Sequence, residues 1–212
     1  MTGQTSRGRD APGPARRGRY HHGDLADALV ETAIALLGEQ GAAAFSMAEA
    51  SRRLGVAPSA PYRHFADRDA LLAAVAVRAA GLLSEALRRQ AASGSPEQRL
   101  AAAAQAYVRF ADEHRPLFQA LAGSGLDKDR HPEIARAAQP ISTAFLSPAA
   151  ELAEGDQAAT ARLVSAIVAT AHGHAMLMLD GAFGPGRPAA DAAAAQAAAA
   201  THALITGRDA LR

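Results

Sequence analysis

Residues 46–65, which read SMAEASRRLGVAPSAPYRHF, decide the fold. Ser46 and the glutamate three residues later form a capping-box pattern, in which each side chain satisfies a backbone N–H at the start of a helix. Gly55 allows the positive φ of a tight turn between two helices. Pro58 suits the first turn of a second short helix, predicted to run to Phe65, because its missing N–H would be unpaired there. The stretch therefore predicts a helix-turn-helix.

The outward face of the second helix carries the polar side chains of this motif. They are Ser59, Tyr62, Arg63 and His64. Hydroxyl, guanidinium and imidazole donors are the groups that proteins use on phosphates and base edges, so this face indicates DNA binding. Two packed helices with a solvated polar face would show the same pattern. The residues alone leave both interpretations open.

The composition of the rest of the chain predicts helices throughout. Alanine fills 58 of the 212 positions, and alanine is the best helix former and a poor strand residue. Apolar periodicity, caps, glycines and prolines divide the chain into nine helices and no strand, an all-α fold. The predicted helices lie at about residues 24–40, 46–54, 58–65, 68–90, 95–114, 117–122, 132–146, 156–180 and 189–205.

The distribution of charge and of Ser and Gly residues predicts three regions along the chain. Residues 1–22 hold five arginines against one aspartate, without apolar periodicity, and are predicted to be a disordered basic arm. A solubilising tail without a partner would read the same way. Residues 23–84 are predicted to form the helix-turn-helix domain and residues 95–207 a second helical domain, separated by a segment rich in Ser and Gly.

The composition also excludes several classes of site. The chain has no cysteine, which excludes disulfides, thiol nucleophiles and cysteine-based metal sites. His172 and His174 lie two positions apart, so they point to different sides of a helix and do not form a metal pair. No Gly-x-Ser-x-Gly element is present. We expect no cofactor, no metal site and no catalytic residue, and the lack of a long apolar run predicts a soluble cytoplasmic protein without a membrane partner.

Several motifs in order along the chain resemble the DNA-binding module of TetR-family transcriptional regulators. They are RYHHGDL at 19–25, Gly41, SMAEA at 46–50, RLGV at 53–56, PYRHF at 61–65 and DRDALL at 67–72. A later segment, AHGHAMLMLDG at 171–181, is similar to the C-terminal domain that some members carry, named for its Trp, His and Gly. The Trp position of that domain falls on Val168 here, and the chain has no Trp.

The resemblance implies which residues contact DNA. They are Ser46, Met47, Ser59, Ala60, Tyr62, Arg63, His64 and Arg68, with Arg19 and His21 from the arm. In relatives the tyrosine reaches a phosphate, which makes Tyr62 the strongest of these assignments. Ala57 stands where a capping Ser or Thr is usual, and Pro58 and Pro61 both lie in the second helix. We expect that helix to be intact but stiff.

Apolar side chains of the second domain suggest a ligand pocket and a dimer interface. The candidate ligand-binding residues are Tyr107, Phe110, Phe118, Phe145, His172 and Met176. Such a cluster is typical of either a plain core or the wall of an apolar pocket. The predicted dimer stripe comprises Leu163, Ile167, Ala171, His174 and Met178 on one helix and Ala193, Ala197, Ala200 and Leu204 on the last.

Together these observations predict a regulator rather than an enzyme. The expected protein is a repressor that binds a palindromic operator on double-stranded DNA as a homodimer and is released by a small apolar effector. One alternative is an all-α ligand-binding protein or enzyme with a vestigial helix-turn-helix. The other is a structural DNA-binding protein without an effector.

Overall fold

The structure, a computed structural model, describes residues 22–91, 93–123, 125–127 and 129–211, which form helices joined by turns and loops. Eight α-helices are α1 His22–Ala44, α2 Met47–Leu54, α3 Arg68–Gln90, α4 Pro96–Glu113, α5 Arg115–Gly123, α6 Pro132–Leu152, α7 Gln157–Leu179 and α8 Arg187–Thr206. Two short 3-10 helices cover Pro61–Arg63 and Arg208–Leu211. None of these residues forms a strand, and the all-α prediction is confirmed.

Side-chain caps start the helices where the sequence predicts them. The Asp67 carboxylate accepts from the N–H of Ala70 at 2.8 Å and fixes the start of α3. Ser95 and Gln98 form a complete capping box at α4. The Asp156 carboxylate accepts two backbone N–H bonds at the start of α7. Each of these bonds satisfies an N–H that has no partner inside the helix.

The capping box predicted at α2 forms only in part. Ser46 Oγ accepts from the N–H of Glu49 at 3.2 Å, as expected. The Glu49 carboxylate does not complete the box, because it accepts from Arg52 Nε at 2.8 Å and from a terminal guanidinium nitrogen of Arg52 at 2.6 Å. A neighbouring guanidinium is a stronger partner for a carboxylate than a backbone N–H.

Two helices extend beyond their predicted ends. Helix α1 begins at His22 and continues to Ala44 past Gly41, where φ of 75° and ψ of 170° break the helical path. Helix α6 continues to Leu152 through Pro140 and Pro148. Each proline deletes one backbone bond without ending the helix, because the neighbouring turns of α6 pack against α3, α4 and α7.

Helix α3 connects the two halves of the molecule within one continuous core. Near its start, Leu71, Leu72 and Val75 are buried in the core shared with α1 and α2. Near its end, Leu83 and Leu87 are buried in the same core, closer to α4 and α6. Helix α5 packs against both α1 and α3, so the two predicted domains are in contact there. At the contact between α1 and α5, a Cβ on Gly38 would lie 3.1 Å from Pro116. Only glycine permits this approach without displacing the proline ring.

Helices α3 and α7 are long and apolar enough to cross a membrane, by length and composition alone. This differs from the expectation that no segment would reach that length. The core helix of a soluble protein passes the same test. Half of the apolar stretch of α3 is buried among other helices, as its place in the common core requires.

Candidate nucleic-acid interface

The second helix of the predicted helix-turn-helix, residues 58–65, is instead a series of tight turns. The N–H groups of Ala60 and Arg63 donate to carbonyls three residues earlier, at 2.9 and 3.2 Å, and a 3-10 helix covers Pro61–Arg63. The expectation of an intact helix over 58–65 is therefore wrong. Pro61 has no N–H to donate at the fourth position of the predicted helix, so i→i+3 bonds close the turns there, and the one i→i+4 bond runs from the Phe65 N–H to the Pro61 carbonyl at 2.9 Å.

Three side chains of this turn are exposed to solvent, and one proline of the turn is buried. Tyr62 is 56 % exposed, Ser59 and Arg63 are also exposed, and Pro61 is buried. The side chain of Arg63 forms no ion pair or hydrogen bond with any residue that the structure describes. Its guanidinium therefore keeps all of its donors for a partner. Ala60 and His64 are half-buried beside this face.

The start of α2 contributes a hydroxyl and free backbone donors. The side chain of Ser46 is exposed, and the first N–H groups of a helix have no partner inside it. Met47 is only 4 % exposed because its side chain packs into the common core. The assignment of Met47 as a DNA contact stays a prediction, and with its side chain buried it concerns the backbone N–H at the start of α2.

Two arginines at the end of α2 are held by carboxylates of the same chain. Arg53 donates to both oxygens of Glu39 at 2.7 and 2.6 Å, which joins α2 to α1. This hydrogen bond lowers the pKa of the Glu39 carboxyl. Arg52 forms a similar pair with Glu49, whose pKa is also lowered, chiefly by that bond. These pairs fix the orientation of α2 and offset the charges of both arginines.

Arg68 joins the starts of α2 and α3. Its Nε donates to the backbone carbonyl of Phe45 at 3.1 Å, and its guanidinium lies 5.8 Å from the centre of the Phe45 ring. A second guanidinium nitrogen lies 3.4 Å from a carboxylate oxygen of Asp69. The sequence predicts Arg68 as a phosphate contact, and no sequence pattern indicates its contacts with Phe45. Arg19 and His21, the arm residues predicted to contact DNA, lie outside the described residues.

Comparison with known proteins identifies the family to which this helix-turn-helix belongs. Residues 29–75 match the family described as bacterial regulatory proteins, tetR family, and residues 100–202 match the tetracyclin repressor-like C-terminal domain. The chain belongs to the TetR family. Membership in a family of regulatory proteins confirms the expectation of a regulator rather than an enzyme.

Individual proteins are similar to this chain over part of its length or in fold. Over 90 residues the chain is 32 % identical to the HTH-type transcriptional regulator BetI of Rhizobium meliloti (strain 1021), a match that covers 42 % of this chain and 44 % of BetI. A solved structure from Rhodococcus sp. RHA1, described as a protein with unknown function, is 28 % identical with a TM-score of 0.68, covering 87 % of this chain and 96 % of that one. The TetR-family regulator PfmR from Thermus thermophilus shares the fold at 21 % identity and a TM-score of 0.60, covering 84 % and 96 % of the two chains.

The structure brings together three of the six candidate ligand-binding residues of this TetR-family chain. The Tyr107 hydroxyl lies 3.2 Å from His172 Nδ1, and the Phe118 ring lies edge-on to Tyr107 at 5.5 Å between ring centres. Burial raises the pKa of Tyr107 to about 12. Phe110 and Phe145 are each 2 % exposed in the same core.

Met176 lies apart from that cluster, and a large cleft lies elsewhere. Met176 is 39 % exposed on the outside of α7. A cavity of about 740 Å³ lies between α3, α4 and α6, and none of the six candidates lines it. The aromatic side chains fill the interior of the C-terminal bundle, and the open volume is at its edge.

Most of the predicted dimer stripe is buried within the chain, and the members that are only half-buried are His174, Ala200 and Leu204. Ile167 and Ala197 have no exposed surface, and Leu163 and Met178 are 3 % and 7 % exposed. This face of α7 packs against α4 and α8, so its prediction as a dimer interface is wrong. The outward face of α7 carries Leu177, which is 52 % exposed, next to Met176. A periodic apolar stripe shows that a helix face is buried, but not whether the same chain or a partner covers it.

Proposed function

We propose that this protein is a transcriptional repressor that binds a palindromic operator on double-stranded DNA and is released by a small molecule. The observation that carries the proposal is the exposed pair Tyr62 and Arg63 on the turn after α2, in a chain of the TetR family. The DNA-binding domain is residues 23–84 and the effector and dimerisation domain is residues 95–207. A repressor of this kind acts in the cytoplasm, where bacterial DNA lies.

The side chains of the turn divide between phosphate and base contacts. The Tyr62 hydroxyl donates to a phosphate, and the N-terminus of α2 with Ser46 takes another, because helix N-termini favour anions. Arg63 is the candidate for base recognition, since a free guanidinium can donate two parallel bonds to guanine. Arg19 and His21, with the rest of the basic arm at residues 1–22, add phosphate contacts without base preference.

Dimerisation gives the spacing that a palindrome requires. Two recognition turns must lie roughly 34–36 Å apart to enter successive major grooves on one side of the duplex. We infer that the outward face of α7, with Met176 and Leu177, contacts its two-fold copy together with α8. Leu177 is 52 % exposed, and an apolar side chain exposed to that extent gains from a covered interface.

A short turn in place of a helix also favours the alternative of a ligand-binding protein with a vestigial helix-turn-helix. The two functions differ in one measurement. The wild-type protein is incubated with a fragment of DNA upstream of its own gene and with a scrambled fragment of equal length, and protection from nuclease is mapped. Symmetric protection of the upstream fragment alone is the result expected of a repressor. Equal binding to both fragments indicates a structural DNA-binding protein, and no binding to either indicates the vestigial motif.

A pair of variants locates the DNA-binding face. Arg63→Ala is expected to weaken binding by about 1–3 kcal/mol and to relax base preference at one position in each half-site. Arg136→Ala removes an equally exposed arginine from α6, in the second predicted domain. Loss of operator binding in Arg136→Ala but not in Arg63→Ala would place the interface elsewhere.

A further inference from the structure

The cleft between α3, α4 and α6 has the size and lining of a small-molecule site. Its volume of about 740 Å³ falls within the range of ligand pockets, roughly 300–1,000 Å³. Leu87, Ala144 and Pro148 form part of its apolar floor. At its edge Gly81 has no atom within 4 Å of where a Cβ would lie, so the wall is open there.

Polar groups on one side of the cleft favour an anion. Arg88 and Arg99 line it against a single carboxylate, that of Glu85, which is already paired with Arg88 at 2.7 Å. Arg99 pairs through a terminal nitrogen with Glu151, outside the lining, while its Nε is buried without an acceptor among the residues that the structure describes. A buried donor without an acceptor is costly, and an anionic group nearby would relieve that cost.

We propose that the effector is an amphipathic organic acid that binds in this cleft, with its apolar part on Leu87, Ala144 and Pro148 and its carboxylate on Arg99. The proposal rests on the regulatory function proposed above, and it names the site and the chemical class of that effector. The carboxylate would take the donors of Arg99 that Glu151 leaves unused. The sequence had placed the effector in the aromatic core, which is filled by its own side chains.

The position of the cleft explains how such a ligand would act on DNA binding. Helices α3 and α6 also meet near their N-terminal ends, where Ile134 packs on Ala73 and Ala76 and Arg130 lies 3.5 Å from Asp67. The cleft lies toward the other end of α3, beyond the Ile134 contact. A ligand placed between the helices there would tilt α3 about the Ile134 contact. The tilt would reach the start of α3, beside the helix-turn-helix.

Binding is measured on the full chain with a single inserted fluorophore. Because the chain has no Trp, Gln139→Trp places one at the cleft, where Gln139 is exposed, and Gln119→Trp places one on the exposed face of α5. The probes are decanoate and naphthoate, with decanamide and naphthamide as neutral isosteres. We expect at least one acid to change the emission of the cleft tryptophan alone, and its matched amide to bind on the order of tenfold more weakly.

Two arginines on α4 provide a matched comparison. Arg109, like Arg99, has a buried Nε without an acceptor, but it does not line the cleft and lies 3.6 Å from Asp191 of α8. In the Gln139→Trp background, Arg99→Gln should weaken binding of the acid on the order of tenfold and leave the amide unchanged. Arg109→Gln should leave both unchanged. Equal binding of acid and amide, equal effects of the two arginine variants, or no response of the cleft tryptophan would each overturn the proposal.

The effect on DNA is measured separately, so that the two proposals fail in different ways. The acid that binds is titrated into the complex of wild-type protein with its upstream DNA, and release is expected over the concentration range in which the cleft tryptophan responds. An acid that fills the cleft and leaves the DNA complex intact would overturn its role as effector. If the protein binds no DNA at all, the repressor function fails, and the fluorescence titration still reports whether the cleft takes an acid.

Discussion

Arg68 Nε donates to the carbonyl of Phe45 at 3.1 Å, and this bond joins the residue that starts α3 to the residue just before the cap of α2. The Phe45 ring lies under the same guanidinium, and its side chain is 3 % exposed. The bond crosses 23 positions of sequence. Any movement of α3 is therefore passed directly to the start of the helix-turn-helix.

Replacement of Arg68 separates a bracing role from a phosphate contact. Arg68→Ala removes the bond to Phe45 and is expected to lower the free energy of unfolding by about 1 kcal/mol, because one hydrogen bond at a half-exposed site is lost. Urea unfolding and salt-dependent DNA binding are measured on the same variant. A phosphate contact alone would leave stability unchanged and reduce the slope of log affinity against log salt by about one.

The Glu39–Arg53 pair predicts a dependence of stability on pH. The bond from Arg53 lowers the pKa of Glu39 below its ordinary 4.5, so the folded state favours the ionised carboxylate. Its contribution is present above pH 4.5 and is lost as the pH falls through the lowered folded-state pKa. Glu39→Gln should therefore lower the unfolding midpoint at neutral pH and approach wild type in acid. Glu113→Gln, at the exposed end of α4, should show no such convergence.

Tyr107 predicts a loss of folding stability at high pH. Burial raises its pKa from 10.0 to about 12, so between these values the unfolded chain loses a proton that the folded chain keeps. Stability should fall with rising pH in that window. Tyr107→Phe removes this dependence and also the bond to His172, at a cost of about 1 kcal/mol at neutral pH. Tyr62→Phe, at an exposed tyrosine, is the control and should keep the dependence of stability on pH that the wild type shows. The same dependence in both variants would contradict the assignment to Tyr107.

Gly55 and Gly81 predict opposite effects of the same substitution. Gly55 adopts φ 66° and ψ 29° after α2, with open space where a Cβ would lie. Gly55→Ala should therefore destabilise by about 1–2 kcal/mol through backbone strain alone. Gly81 is helical with equally open space, and Gly81→Ala should stabilise by up to about 1 kcal/mol. Thermal unfolding of both variants checks the pair, and a shift in the same direction would refute the backbone argument.

The sequence predicts the local features of this chain and misses the distant ones. The starts of α3 and α4 are set by residues three positions apart, Asp67 with Ala70 and Ser95 with Gln98, and both helices begin where the sequence predicts. The pairs Arg53–Glu39 and Arg130–Asp67 join residues far apart in sequence, and no periodicity indicates them. For residues 58–65, Pro58 indicates a helix start, but the donor that Pro61 lacks one turn later favours the shorter 3-10 turn over Pro61–Arg63.

The outward face of α7 gives the last prediction, which concerns the oligomeric state. Leu177→Arg places a charge at a side chain that is 52 % exposed in the single chain, so the fold tolerates it while an apolar contact with a second copy does not. Sedimentation should show a folded monomer that no longer protects the operator, because one half-site contributes too little affinity. Ile167→Arg should instead unfold the chain, since Ile167 is fully buried. A Leu177→Arg protein that remains a dimer would move the interface to another face, and a wild-type monomer at micromolar concentration would remove the dimer from the proposed function.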